Sequence, residues 1–270
     1  MLSAWWWILI GTAAYIFNVV CSRFFRNLLI KEEEHPYNNF LDPAQQLTGL
    51  VYGVLLAFVV VLNWQSYVNL SSTLEGESEA LLDLWRNSEV FANQPQQQEF
   101  HTAILDYLTA IQKEEWPEME LGHPPDVTPT YSKLWNTVQN LQIETPIQNA
   151  FYQNLLIGLD KVNTLRRERI FSVINPTPLL FWVFLIGGAF HIVLLTGFYN
   201  VCVQLRILLS SLQATMFIFA FYMIANFTHP FSGPLALDAK NYKDVQHTIE
   251  ELQRRNLALQ TASQPEAQVF

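Results

Sequence analysis

Charge is scarce in this chain. Only 14% of its 270 residues are Asp, Glu, Lys or Arg, while half are hydrophobic and 14% aromatic. That balance departs from a soluble domain toward a membrane protein. Basic residues are in deficit, leaving a net charge of -9. A nucleic-acid partner, which needs a basic surface, is therefore excluded, and there is no polybasic patch for anionic lipid. Cysteine is nearly absent. Cys21 and Cys202 each close an apolar run and form no disulfide framework or metal spacing, so they read as small apolar fillers. The chain has no HExxH, GxSxG, P-loop or GxGxxG pattern. Its histidines are isolated, with no i, i+4 pair to hold a metal. No cofactor is implied and no enzyme is expected. The acidic pairs in Glu114-Glu115-Trp116 and Glu77-Ser78-Glu79 lack a histidine or metal partner, and they read as solvated helix faces.

What the chain does have is long apolar runs. Mean hydropathy is only +0.14, so a sizeable polar part must dilute them. The most patterned run, Gln46 to Trp64, carries no charge. About 20 helical residues at ~1.5 Å each cross a hydrocarbon core of ~30 Å, so this run predicts a spanning helix. Gly49, Gly53 and Ala57 recur every fourth residue and share a face with almost no side chains. In lipid such a face lets two backbones approach. Packing within one subunit, a protomer interface and a narrow pore wall are all compatible with it. Trp64 and Tyr67 end the run with rings suited to the membrane interface.

Three further spans are predicted: Trp5 to about Cys21, Leu179 to about Val203, and Ile207 to Phe227. The first lacks the positive n-region of a secretory signal. Asp42-Pro43 reads as a cap and first helical position before the second span. The third and fourth spans are joined by a very short turn around Arg206. No Asp or Glu falls inside the spans. A carboxylate at midplane costs at least ~2.5 kcal/mol, which speaks against a proton-coupled transporter and an intramembrane aspartyl protease. His191 is the one ionisable residue deep in a span. It reads either as a pore, ligand or pH-sensing site or as a neutral histidine bonded to a neighbouring helix. Asn18, Asn63, Gln213 and Thr215 suit interhelical hydrogen bonds.

Residues 65–176 are polar and acidic but helically periodic. Phe100, Ile104, Tyr107, Leu108 and Ile111 form one stripe. Thr128-Pro129 opens a helix bearing Tyr131, Leu134, Trp135, Val138 and Leu141. Thr145-Pro146 opens a longer one bearing Ile147, Phe151, Leu155, Leu159 and Val162. Ser72 and Glu75 have capping-box spacing, either starting a helix or lying in one that continues from the second span. Pro117 to Pro129 is the expected loop. After the fourth span, Asp238 is positioned to cap a last amphipathic helix carrying Val245, Ile249 and Leu252, and the tail from Thr261 reads as disordered.

The expected fold is thus an all-α polytopic membrane protein with four transmembrane helices and a helical extramembrane domain between spans 2 and 3. Residues 1–64 hold spans 1 and 2, 65–176 the helical domain, 177–234 spans 3 and 4, and 235–270 a C-terminal helix and tail. Arg23, Arg26 and Lys31 after the first span favour the helical domain on the non-cytoplasmic side of a bacterial inner membrane. Arg166, Arg167 and Arg169 argue the reverse.

This order of parts resembles the bestrophin-like family of bacterial membrane proteins. The matching pieces are Gly49 with Leu55-Leu56-Ala57-Phe58, Glu79-Ala80, Tyr107 followed by Glu115-Trp116, and Pro230-Phe231-Ser232-Gly233. They cover about residues 5 to 235. The resemblance implies an oligomeric channel, since bestrophins are pentameric anion channels with an apolar pore neck and a helical domain in the cytosol. No neck triplet or calcium clasp aligns here, so no pore residue is carried over. Two functions follow. One is an anion-conducting homo-oligomer in the bilayer, passing small inorganic ions along its second-span helices. The other is a non-conducting membrane scaffold or sensor whose helical domain binds a partner.

Overall fold

The computed structural model describes residues 38–92, 94–123, 125, 129–174, 178–199 and 202–262. The predicted first span, with Asn18, Cys21, Arg23, Arg26 and Lys31, lies outside the described residues, as does Thr128. Among the described residues every regular element is helical. They are α1 (Asn38–Ser88), a 3-10 turn (Glu89–Phe91), α2 (Pro95–Ala110), a π turn (Ile111–Glu115), α3 (Trp116–Glu120), α4 (Pro129–Gln139), α5 (Pro146–Ile174), α6 (Leu179–Gly197), α7 (Val203–Thr228) and α8 (Lys240–Ala262). Three of them, α1, α6 and α7, are long and apolar enough to cross a membrane. The chain is an all-α, integral, polytopic membrane protein.

It divides into two compact units. Met1–Tyr67 with Pro176–Leu235 form a membrane unit, and Val68–Asn175 with Ala236–Phe270 form a helical unit. Within the membrane unit, α1 packs through a narrow edge. Tyr52 lies on α6 and donates its hydroxyl to the Leu185 carbonyl at 2.6 Å. The absence of a side chain at Gly188 makes room for the ring, since a Cβ there would collide with it. Phe217 of α7 meets the same ring edge-on at 5.3 Å. A second cluster joins Val59, Leu185 and Ile224. Small polar groups tie the helices at one end, where Gln45 Nε2 donates to Thr196 Oγ1 at 3.0 Å and Thr196 Oγ1 donates to Gln213 Oε1 at 2.7 Å. In lipid these packing and hydrogen-bond terms stand in for the missing hydrophobic drive. Trp64, Tyr67 and Phe227 cluster further along α1 and α7, and the Tyr67 hydroxyl donates to the Leu235 carbonyl at 2.9 Å.

In the helical unit the apolar stripes face a common core. Leu81, Leu84, Phe100, Ile104, Tyr107, Leu108, Leu134, Leu155 and Leu159 are all fully buried. α5 opens with a reciprocal cap. Thr145 Oγ1 accepts from the Gln148 amide at 3.2 Å, and Gln148 Oε1 accepts from the Thr145 amide at 3.0 Å, satisfying two end donors at once.

Several boundaries differ from expectation. Asp42-Pro43 does not start α1; the helix begins at Asn38 and holds Pro43 inside. Of the two readings of Ser72 and Glu75, the continuing helix is the one found: no glycine or proline interrupts the chain between Trp64 and Ser72, and α1 runs on. The break between α6 and α7 precedes Arg206, which sits buried in the first turn of α7 with its amide bonded to the Cys202 carbonyl. Pro117 is helical, so the loop begins after α3, at Leu121 and Gly122, where Gly122 takes φ 79°. Ile147 is 65% exposed rather than part of the core stripe of α5. Asp238 pairs with Lys243 at 3.3 Å, while the Ala239 carbonyl accepts from the Lys243 amide in the opening turn of α8.

Candidate functional site

Among the described residues, the face that singled out α1 in the sequence is uncovered. Among the described residues, nothing lies within 4 Å of a Cβ built at Gly49 or Gly53. Gly53 and Ala57 are exposed, and Phe58 is 64% exposed. Among the described residues, the edge of α1 that packs on α6 and α7 is that of Tyr52 and Val59. Exposed Leu50, Val54, Phe58 and Val61 extend the open face at helical spacing. Asn63 donates to the Val59 carbonyl of its own helix, and Thr215 to that of Ser211. Gln213 bonds across helices to Thr196. His191 is exposed on α6.

The exit motif is built around backbone geometry. Pro230 and Phe231 are buried after α7. Gly233 has φ 98°, a region that side chains disfavour, and a Cβ there would lie 3.3 Å from Asn226 Oδ1.

The helical unit holds a second constellation, and it overturns the reading of Glu77 and Glu115 as solvated, while Glu79 and Glu114 are exposed as expected. Glu77 and Glu115 are buried, as are Arg166 and Arg169. Arg169 grips Glu77 through Nε at 2.8 Å and Nη2 at 3.2 Å, and Nη2 also reaches Glu115 Oε2 at 2.7 Å. Arg166 donates to Glu115 Oε1 through Nη2 at 2.8 Å and Nε at 3.2 Å. Tyr107 and Tyr242 donate their hydroxyls to Glu77 at 2.9 and 2.7 Å. Arg169 Nη1 faces Met119 Sδ at 3.5 Å, and its guanidinium lies 5.8 Å from the centre of the Tyr242 ring. The formal charges of the two carboxylates and two guanidiniums cancel. Burial, reinforced by Glu77, pushes both tyrosine hydroxyls well above their ordinary pKa. For Arg169 burial works against the charged form, and Glu77 with its neighbours more than offsets it, so the guanidinium stays charged. Every carboxylate oxygen is engaged, which leaves the cluster a structural lock rather than an acid–base pair.

A signal for this cluster was present in the sequence. Glu77 continues the spacing of Leu70, Leu74, Leu81 and Leu84; Glu115 follows Ile111 by four; Arg166 and Arg169 extend Leu155, Leu159 and Val162. Charges of both signs on apolar stripes are the mark of buried ion pairs. The π turn adds to it. Its widened step carries Glu115 and the adjacent Trp116 both into the interior, and Pro117, lacking an amide hydrogen, disfavours regular α geometry at that point.

A third grouping surrounds His101. Its ring stacks on Trp85 at 3.5 Å, and its Nε2 lies 2.7 Å from Ser88 Oγ. Ser88 spends its own proton on the Trp85 carbonyl at 2.7 Å, so His101 donates through Nε2–H. Burial lowers the His101 pKa to about 4, keeping it neutral. Among the described residues no cluster of His, Cys, Asp and Glu is arranged to hold a metal.

Of the remaining motif residues, Tyr107, Glu115 and Trp116 meet in or beside the charge cluster, while Glu79 is exposed. The Bestrophin-like domain model matches residues 12–242, most of the chain. The chain belongs to the Bestrophin-like family. Its fold agrees with solved structures of bestrophin homologues. A point variant of a bacterial bestrophin homologue from Klebsiella pneumoniae superposes with TM-score 0.69 at 14% identity, covering 92% of this chain and 98% of that one. A second structure of the Klebsiella pneumoniae homologue gives TM-score 0.67 at 12% identity, over 91% and 97% of the respective chains. At such identity the likeness establishes a shared bestrophin fold and nothing finer. No curated protein matches the chain.

Proposed function

We propose that this Bestrophin-like protein is a homo-oligomeric ion channel in which copies of α1 surround an apolar constriction and small anions pass along it. The observation that carries the reading is the open face of α1. Among the described residues, that helix packs one edge on α6 and α7, and Gly53, Ala57 and Phe58, with Leu50, Val54 and Val61, are exposed, as a face that meets a pore or another copy would be. Selectivity at such a constriction comes from dehydration and from charge at its ends, not from charge in its wall. The absence of Asp and Glu from the spans favours anions, and the family resemblance favours a pentamer in the inner membrane. The acidic helical unit works in the opposite sense by drawing cations, and sidedness follows whichever end of the spans retains exposed basic residues. The Gly49, Gly53, Ala57 edge is assigned to the contact between copies, Phe58 to the pore wall, and Asn63 and His191 to polar positions beside it.

Purified protein in planar bilayers tests this. Unitary currents with a reversal potential that follows the chloride gradient are the expected result; reversal following potassium or sodium assigns cations instead. No current under any gradient, with a monomer in detergent, favours the non-conducting scaffold. That reading draws on aliphatic side chains exposed on the helical unit, Ile147 at 65% and Ile157 at 67%.

A further inference from the structure

Helix α8 is held to the helical unit by few buried groups. Among its described residues, Tyr242 and Ile249 alone are fully buried, and most of the rest carry polar or charged side chains. Tyr242 makes several distinct contacts at once. Its hydroxyl reaches Glu77 at 2.7 Å, its ring meets Trp116 edge-on at 5.9 Å, and the Arg169 guanidinium lies over it. Further polar ties include Gln112 to Gln246 at 2.7 Å and an exposed bond from Asn256 to Glu89 at 3.3 Å.

We propose that α8 is a reversible strap over the buried charge cluster, with Tyr242 as its latch, and that it detaches and re-docks as a unit while the remainder of the helical unit stays folded. The charge balance beneath it makes this feasible. With Tyr242 withdrawn, Arg169 still pairs with Glu77 and Glu115, Arg166 still pairs with Glu115, and Tyr107 still bonds Glu77. Lifting the strap therefore strands no ion. It costs a charge-assisted hydrogen bond, the Gln112–Gln246 bond and the burial of Tyr242 and Ile249, where removing a member of the cluster itself would leave a bare buried charge. Docking in turn excludes water and strengthens every polar contact below. Tyr107 differs in this respect, because it sits on α2 among fully buried Phe100, Ile104 and Leu108 and cannot leave without opening the core.

Hydrogen–deuterium exchange on the full chain in detergent tests the strap, comparing wild type with Tyr242→Phe and Tyr242→Ala. The amides of α8 are expected to exchange together and ahead of those in α2 and α5. Tyr242→Phe, which keeps the ring and loses the hydroxyl, should speed α8 exchange by about tenfold while leaving α2 and α5 unchanged. Exchange of α8 in step with α2 in the wild type, or equal acceleration of all three helices in the variant, overturns the proposal. If Tyr242→Ala does not fold, Tyr242→Phe decides alone.

Discussion

The two units solve opposite problems. The membrane unit is formally neutral, yet its helices leave large apolar side chains such as Leu47, Phe58, Leu179 and Phe219 exposed. The helical unit carries the whole net charge of -9, yet hides two glutamates and two arginines in its interior. Apolar surface costs nothing against acyl chains, so the membrane unit gains little by covering it and holds together through close fits such as Tyr52 on Gly188 and the Gln45–Thr196–Gln213 chain. In the helical unit hydrophobic burial supplies the drive. The charge cluster, in which the carboxylates and guanidiniums are paired, would then specify which helix faces which. That specifying role is a hypothesis for this protein; it is refuted if an all-apolar replacement of the cluster folds into the same single arrangement.

The sharpest way to break this contrast is to remove one charge from the helical unit. Arg169→Leu leaves Glu77 without its bidentate partner and should cost ~3–5 kcal/mol, enough to unfold that unit. Circular dichroism and proteolysis of the full chain would read the loss, and unchanged thermal stability would show that the cluster is not a lock. Acid is the next largest lever. His101 has a folded pKa of about 4, below the ordinary value of 6.5, so between these limits the unfolded chain binds the extra proton. Its contribution is complete above about pH 6.5 and is lost as pH falls through about 4, by up to ~3 kcal/mol. Replacing His101 with Phe should flatten the slope of stability over that window in a denaturant titration, and an unaltered slope would clear His101.

The membrane unit is probed by its fit rather than its charge. Gly188→Leu should displace the Tyr52 ring and cost ~1–3 kcal/mol by overpacking. Gly53→Leu, on the open face, should leave the subunit's own thermal stability unchanged while altering oligomer size or conductance. Native oligomer size and activity in that variant would remove the face from the proposed function. The smallest effect is expected at the exit motif, where Gly233→Ala strains a backbone at φ 98° by ~1 kcal/mol, visible as a modest drop in melting temperature.

Much of the fold was legible because helices declare themselves by period. The stripe from Phe100 to Ile111 and the helices opened by Pro129 and Pro146 appeared where residue spacing put them, with Ile147 the exception at the head of the last stripe. Boundaries were less so, since Ser72 and Glu75 carry the local marks of a start that an unbroken α1 overrides. Glu77 and Glu115 were misread because a single stripe shows that Glu77 faces inward but not that Arg169, 92 residues away, meets it there.

By itself the sequence determined that the chain is helical, that it enters a membrane, and which family it resembles, since runs of apolar residues and the 3.6-residue period are properties of one segment at a time. Only the tertiary structure decided which edge of α1 packs and which charges are hidden. A helix that is apolar all round offers no contrast between its faces, so the choice of Tyr52 over Gly53 depends on the shape of its neighbours. A buried ion is tolerable only beside its counter-ion, and that pairing exists between segments, not within them.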